Sequence, residues 1–236
     1  MGFNPFDNYL YASNNVNGTL YLIRIGGSGA WQNLLPLNRT GTNYNCADFD
    51  SNGLWWASIG GGVFTAIDLK PGSSTYGQTV VNGTATPPYV TIDWVHVPGT
   101  GPYLWSLGYS LNPSQSHLMR FSRQNYTWTE ITNLGNVTGQ NQWGAIYPGA
   151  NKTFYASENN SGQIWRFPLP NSTSGLTGPQ LQAYGPPSSS NDGARCYLAV
   201  DQSLAAAAAA ANLRRRKFME RELRSLIYYG DQDGFL

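Results

Sequence analysis

Charged side chains are scarce in this sequence, at 11% of 236 residues against about a quarter in ordinary soluble domains. They are also unevenly placed, because 11 of the 27 fall in residues 201–236. The other 16 divide into eight basic and eight acidic residues, so the first 200 residues are neutral overall and lack the basic footprint that a phosphate backbone requires. Nucleic acid is therefore not an expected partner. Histidine is limited to His96 and His117, expected in different repeats, which leaves little material for a histidine triad or a multi-histidine metal site. The two cysteines, Cys46 and Cys196, cannot define a disulfide framework, although one bridge between them would suit an oxidising compartment. Gly-x-Ser-x-Gly, His-Glu-x-x-His, Cys-x-x-Cys and phosphate-loop patterns are all absent. No run approaches the roughly 20 apolar residues of a membrane helix. The opening Met1-Gly2-Phe3-Asn4 has neither a basic start nor an apolar stretch, so no signal peptide is visible and a leader is expected to be missing.

Aromatic residues, at 14%, are plentiful, and they recur with a period. Tyr9-Leu10-Tyr11-Ala12-Ser13, Leu54-Trp55-Trp56-Ala57-Ser58, Tyr103-Leu104-Trp105-Ser106-Leu107 and Thr153-Phe154-Tyr155-Ala156-Ser157 place matching rings at positions 11, 56, 105 and 155. Spacings of that size match one four-stranded propeller blade. A second strand follows each core, as in Leu20–Ile25, Val63–Ile67, Leu118–Phe121 and Ile164–Phe167, across turns such as Asn17-Gly18 and Gly60-Gly61-Gly62. A further strand precedes three of the cores, at Cys46–Asp50, Val90–Trp94 and Trp143–Tyr147. A fifth copy begins at Gly193-Ala194-Arg195-Cys196 and is expected to complete blade one, whose own leading strand looks missing. The fold expected is thus an all-β propeller of about four blades of 45–50 residues over residues 1–200. Residues 201–236, with alanines 205–211 followed by a basic amphipathic run, are expected to form a helical tail that could dock a partner or an anionic membrane surface.

Three motifs carry a resemblance. Phe3-Asn4-Pro5-Phe6-Asp7-Asn8-Tyr9-Leu10-Tyr11, the paired Phe49-Asp50-Ser51-Asn52-Gly53 and Ile92-Asp93-Trp94, and Ser189-Ser190-Asn191-Asp192-Gly193-Ala194-Arg195-Cys196 resemble a propeller-like domain of unknown function found in secreted fungal and bacterial surface proteins. That resemblance spans roughly residues 2–199 and implies a fold and an extracellular or cell-surface location, without an activity.

The extracellular reading has support of its own. Asn-x-Ser/Thr triplets begin at Asn17, Asn38, Asn82, Asn125, Asn136, Asn151, Asn159 and Asn171, where chance pairing of 22 Asn with 37 Ser and Thr gives about three. For a ligand, Asp48-x-Asp50-x-Asn52-Gly53 has the opening of a calcium loop but reaches Ile59 where a bidentate carboxylate is needed. Asp93 aligns with Asp48 in the next repeat, so Asp48, Asp50 and Asp93 are the candidate calcium residues of a propeller hydrolase, although Ala145 breaks the ring. The eight tryptophans suggest stacking on sugar faces beside Asn and Asp. Trp56, Trp105 and Trp165 sit at repeated strand positions that suit a core, which leaves Trp31 and Trp128, in weaker outer strands, as the ligand-binding candidates. The sequence therefore favours a non-catalytic, cofactor-free binding module for a glycan or cell-surface protein, engaged through loops at one end of the channel. A calcium-dependent hydrolase and a purely structural cell-wall domain are the alternatives.

Overall fold

The computed structural model describes residues 1–40 and 43–199; the segment expected to be a helical tail at 201–236 lies outside the described residues. Met1–Ala199 forms one compact unit of sixteen strands and, among the described residues, no helix. The strands make four four-stranded antiparallel sheets, each a simple meander, so the chain is an all-β, four-bladed propeller. Blade 1 contains β1 (Gly2–Asn4), β2 (Tyr9–Val16), β3 (Thr19–Ile25) and β4 (Trp31–Thr40). Blade 2 contains β5 (Cys46–Phe49), β6 (Leu54–Ile59), β7 (Val63–Asp68) and β8 (Thr79–Thr84). Blade 3 contains β9 (Val90–Val95), β10 (Tyr103–Leu111), β11 (Ser114–Ser122) and β12 (Trp128–Gly135). Blade 4 contains β13 (Trp143–Gly149), β14 (Thr153–Glu158), β15 (Gln163–Pro168) and β16 (Gln180–Tyr184).

The repeated cores become the second strand of each blade because their aromatic residues suit a pleated strand and bury Tyr11, Trp55, Trp56, Trp105 and Phe154. Their hairpins close where glycine or asparagine tolerates positive φ: Asn17 at 52° and Gly18 at 85° give the paired left-handed residues of a two-residue turn. Alternate side chains of one blade then meet those of the next in three apolar seams. Tyr11, Leu20 and Leu22 pack on Phe49, Trp55 and Ile67; Trp56 and Phe64 pack on Trp94, Leu104 and Phe121; Trp105, Leu107 and Leu118 pack on Trp143, Phe154 and Phe167. Edge-to-face contacts such as Tyr11 on Phe49 at 5.2 Å and Phe64 on Phe121 at 5.0 Å recur along these seams. Burial of each large side chain contributes about 1.5–3 kcal/mol.

Two expectations are corrected here. Blade 1 has its own inner strand, Gly2–Asn4, paired with Tyr9–Tyr11, so no fifth copy is needed to complete it. Its shortness hides it, since only three residues pair and none is β-branched. Residues 193–199 form no strand. The segment before and through them lies along blade 4, where Ser188 N donates to Asn159 O at 2.8 Å, Asn191 Nδ2 to Ser157 Oγ at 2.9 Å and Arg195 Nη1 to Pro148 O at 2.9 Å. Asp192 in that segment pairs with the Met1 amine. The second correction concerns histidine: His96 and His117 belong to the same blade, His96 directly after β9 and His117 in β11.

Candidate functional site

The inner-strand carboxylates each engage backbone groups of a neighbouring blade. Asp48 Oδ2 accepts the His96 backbone N–H at 2.7 Å, and Asp93 Oδ2 accepts the Ile146 backbone N–H at 2.8 Å. Each therefore reaches from its own blade to the next, Asp48 to the residue just after the inner strand of blade 3 and Asp93 to the inner strand of blade 4. Between blades 1 and 2 the corresponding position is Gly2, where an added Cβ would lie 2.8 Å from the Asp48 Cα, so backbone contact replaces the side-chain bridge. Asp50 is enclosed elsewhere: Oδ1 accepts the backbone N–H groups of Asn52 and Leu54 at 2.8 and 3.1 Å, while Oδ2 accepts Trp56 Nε1 at 3.1 Å and pairs with Arg123. Among the described residues no three His, Cys, Asp or Glu side chains are grouped to hold a metal ion. Asp48, Asp50 and Asp93 are thus held by separate hydrogen bonds, Asp93 in a different blade from the other two. Burial pushes the Asp48 carboxyl up to about 7 against the backbone N–H groups that oppose it, and pushes Asp93 well above its ordinary value. His96, buried and near the Arg123 charge, is lowered to about 4.

Cys46 and Cys196 are both free thiols, which corrects the single bridge considered from sequence. Cys46 is turned into the seam between blades 2 and 3, where its thiol donates to Ile92 O at 3.2 Å. Burial pushes that thiol up to about 12.

The acceptor asparagines divide by exposure. Asn17, Asn82, Asn125, Asn136, Asn151 and Asn171 are exposed, and the Asn38 side chain lies outside the described residues. Asn159 is 7% exposed, with its amide against Gly144, so the folded domain has no room for a glycan there.

The two tryptophan candidates separate in the same way. Trp128 Nε1 donates to Gly61 O at 2.8 Å, and its ring lies 5.4 Å from Phe121 and 6.2 Å from Trp94. It packs, partly buried, at the rim of the seam between blades 2 and 3. Trp31 is 56% exposed at the start of β4, paired in register with Ile25. It lines a groove of about 540 Å³ at the end of blade 1 where β2 begins and β3 turns into β4, together with Asp7, Asn8, Tyr9, Arg24, the Gly26–Ala30 turn and Gln32. Sequence dictates that arrangement locally. Asn8, at φ 62°, turns the chain into β2, and Asp7 caps the turn by accepting Tyr9 N at 3.1 Å and the Tyr11 hydroxyl at 2.5 Å. Gly26 and Ala30 close the opposite hairpin through a 2.8 Å backbone bond. The Arg24 guanidinium lies 4.4 Å over the Tyr9 ring, which holds a planar donor beside the exposed indole. The end of the channel is different: a cavity of about 430 Å³ draws lining from all four blades, including Ala12, Ala47, Ile92 and Gln142, with half-buried Tyr44 as its aromatic. The exposed ring and its polar neighbours are on blade 1, not at the channel mouth where the sequence pointed.

The model of a family described as a repeat of unknown function (DUF6923) matches residues 1–198. No curated protein matches. Among solved structures, a virginiamycin B lyase from Staphylococcus aureus is similar at 17% identity over 71% of this chain and 55% of its own, with a TM-score of 0.43. A streptogramin B lyase is similar at 15% identity over 75% and 55%, with a TM-score of 0.43, and U3-55K at 8% identity over 73% and 46%, with a TM-score of 0.48. The chain spans about half the length of these structures.

Proposed function

Since the chain belongs to this family of repeats of unknown function, we propose that it is an extracellular or cell-surface glycan-binding module whose ligand lies in the blade 1 groove. The observation that carries the reading is Trp31, a large ring left 56% exposed beside a guanidinium, a carboxylate and two amides. A sugar ring presents an apolar face to an indole and hydroxyls at its edge, so one stacked aromatic flanked by planar donors and acceptors suits it chemically. Near neutrality of the first 200 residues favours an uncharged ligand over an acidic one. Six exposed acceptor asparagines support an extracellular setting.

The test is titration calorimetry of the full chain against neutral cell-wall oligosaccharides, chosen from a glycan array. Trp31→Ala is expected to weaken binding about tenfold or more, the equivalent of one stacked aromatic contact of about 1.4 kcal/mol. Tyr184→Ala, at a ring 70% exposed on blade 4, is expected to leave binding unchanged. A blank array, or binding that survives Trp31→Ala, overturns the reading.

A further inference from the structure

Blade 3 holds a side-chain relay that neither the family nor the groove accounts for. Ser110 on β10, His117 on β11 and Glu130 on β12 come from three adjacent strands. Ser110 Oγ lies 3.3 Å from His117 Nε2, and His117 Nδ1 lies 2.8 Å from Glu130 Oε1. The order is hydroxyl, imidazole, carboxylate, with each imidazole nitrogen facing a different partner. The first distance is slightly long because the Ser110 hydroxyl donates to Pro113 O at 2.9 Å, a bond it exchanges for the imidazole when it acts. The ring is fixed from a second side by Tyr89, which stacks on it at 3.5 Å with planes 9° apart and donates its hydroxyl to Glu130 Oε2 at 3.3 Å. Room for Tyr89 exists because the register partner of His117 is Gly108, where an added Cβ would lie 2.7 Å from the Tyr89 Cβ. His117 is 2% exposed, while Ser110 is only partly buried and Glu130 sits at the surface. A shielded base with an accessible hydroxyl is the pattern of an activated nucleophile.

We propose that Ser110, His117 and Glu130 act as a nucleophile, base and orienting acid that cleave small esters by acyl transfer. Ser110 Oγ attacks the ester carbonyl carbon, and its proton passes to His117 Nε2. The imidazolium so formed faces Glu130. Collapse of the tetrahedral adduct breaks the carbonyl–alkoxy bond, and the leaving alkoxide takes the proton back from His117. Water, deprotonated by the same nitrogen, then hydrolyses the acyl-serine, releasing the carboxylic acid and restoring Ser110. A cleft of about 490 Å³, lined by Pro87, Pro88, Tyr89, Val90 and Tyr109, meets the relay at Tyr89, while Tyr109 lies on the strand face opposite Ser110. Its prolines and rings suit a short acyl or aryl group. The inference is independent of the blade 1 glycan reading.

A fluorophosphonate probe on the full chain, read by intact mass and peptide mapping, tests it, with p-nitrophenyl acetate turnover as the companion assay. One adduct at Ser110 is expected, absent in Ser110→Ala, and formed at least about a hundredfold more slowly in His117→Gln. Glu130→Gln is expected to slow it less. In the unaltered chain the labelling rate is expected to rise with pH through a single titration, which keeps the proposal falsifiable if the His117 variant fails to fold. No adduct at Ser110, labelling of His117→Gln at the unaltered rate, or a flat pH profile overturns the relay and leaves a structural hydrogen-bond network.

Discussion

Replacing Asp48 with asparagine should raise stability at neutral pH and leave it unchanged in acid. The carboxyl is 8% exposed, and burial raises it from an ordinary 3.8 to about 7. A carboxyl whose folded value lies above its unfolded one contributes most stability below pH 4 and loses it as pH rises through 7. The shift of about 3 units corresponds to about 4 kcal/mol of differential stability between those limits. The amide introduced by Asp48→Asn would retain an oxygen for the His96 backbone N–H and carry no charge. The measurement is urea unfolding of both proteins from pH 4 to pH 8, taken as a difference so that other titrating groups cancel. The stability of Asp48→Asn minus that of the unaltered protein should start near zero at pH 4 and grow toward about 4 kcal/mol above pH 7. His96 moves the other way. Its folded value is lowered to about 4, so its contribution is present above 6.5 and is lost as pH falls toward 4. In the unaltered protein the His96 slope opposes those of Asp48 and Asp93 between pH 4 and 7, and Asp48→Asn should remove the Asp48 part alone. A pH-independent difference, or a variant that becomes relatively less stable as pH rises, would refute the reasoning. Either would mean that the backbone N–H groups of His96 and Phe49 stabilise the ionised carboxylate more than burial penalises it.

Further outcomes follow from the seams and the thiols. Gly61→Ala places a Cβ 2.7 Å from the Trp128 ring at φ 72° and should cost about 1–3 kcal/mol by denaturant unfolding. Trp128→Phe removes the donor to Gly61 O and should cost about 1–2 kcal/mol, with no effect on glycan titration. Asp50→Ala strips the partner from the Arg123 charge and from Trp56 Nε1, and should cost about 3–5 kcal/mol in the same assay. Cys46, with its thiol pushed up to about 12, should resist iodoacetamide at pH 8 until the protein is denatured, while both cysteines react in denaturant; protection of both in native and non-reducing denatured protein would reveal a disulfide.

The blade period was legible because it rests on side chains: aromatic cores at positions 11, 56, 105 and 155 are strands in all four blades, and Trp56 and Trp105 are buried as their positions require. What escaped sequence reasoning rests on backbone groups and register. Asp48 and Asp93 were read as ion ligands because only their carboxylates are visible in a string of letters, while the His96 and Ile146 N–H groups they satisfy belong to the next repeat. Trp128 was read as a better exposed candidate because it lies in a weaker strand near a blade edge; that a glycine 67 positions earlier accepts its indole N–H is not visible in the sequence. Ser110, His117 and Glu130 are seven and thirteen residues apart and match no motif. Only the pairing of β10 with β11 and β11 with β12, with the irregularities in the latter, puts them in line. Trp31 was legible as a candidate, whereas its partners Asp7, Arg24 and Gln32 come together only through the hairpin geometry of blade 1.

The meander connectivity of each blade also bears on how the chain acquires its structure during synthesis. All strands that pair within a sheet are consecutive in sequence, so a blade can form once its own stretch has emerged from the ribosome, without awaiting distant partners. Each apolar seam joins neighbours in order, blade 1 to 2, 2 to 3 and 3 to 4, so every newly finished sheet finds its docking face already displayed by its predecessor. Assembly would then advance from the amino terminus as a growing stack, and a ribosome-bound chain halted after Gly135 should already protect the amides of the first two blades.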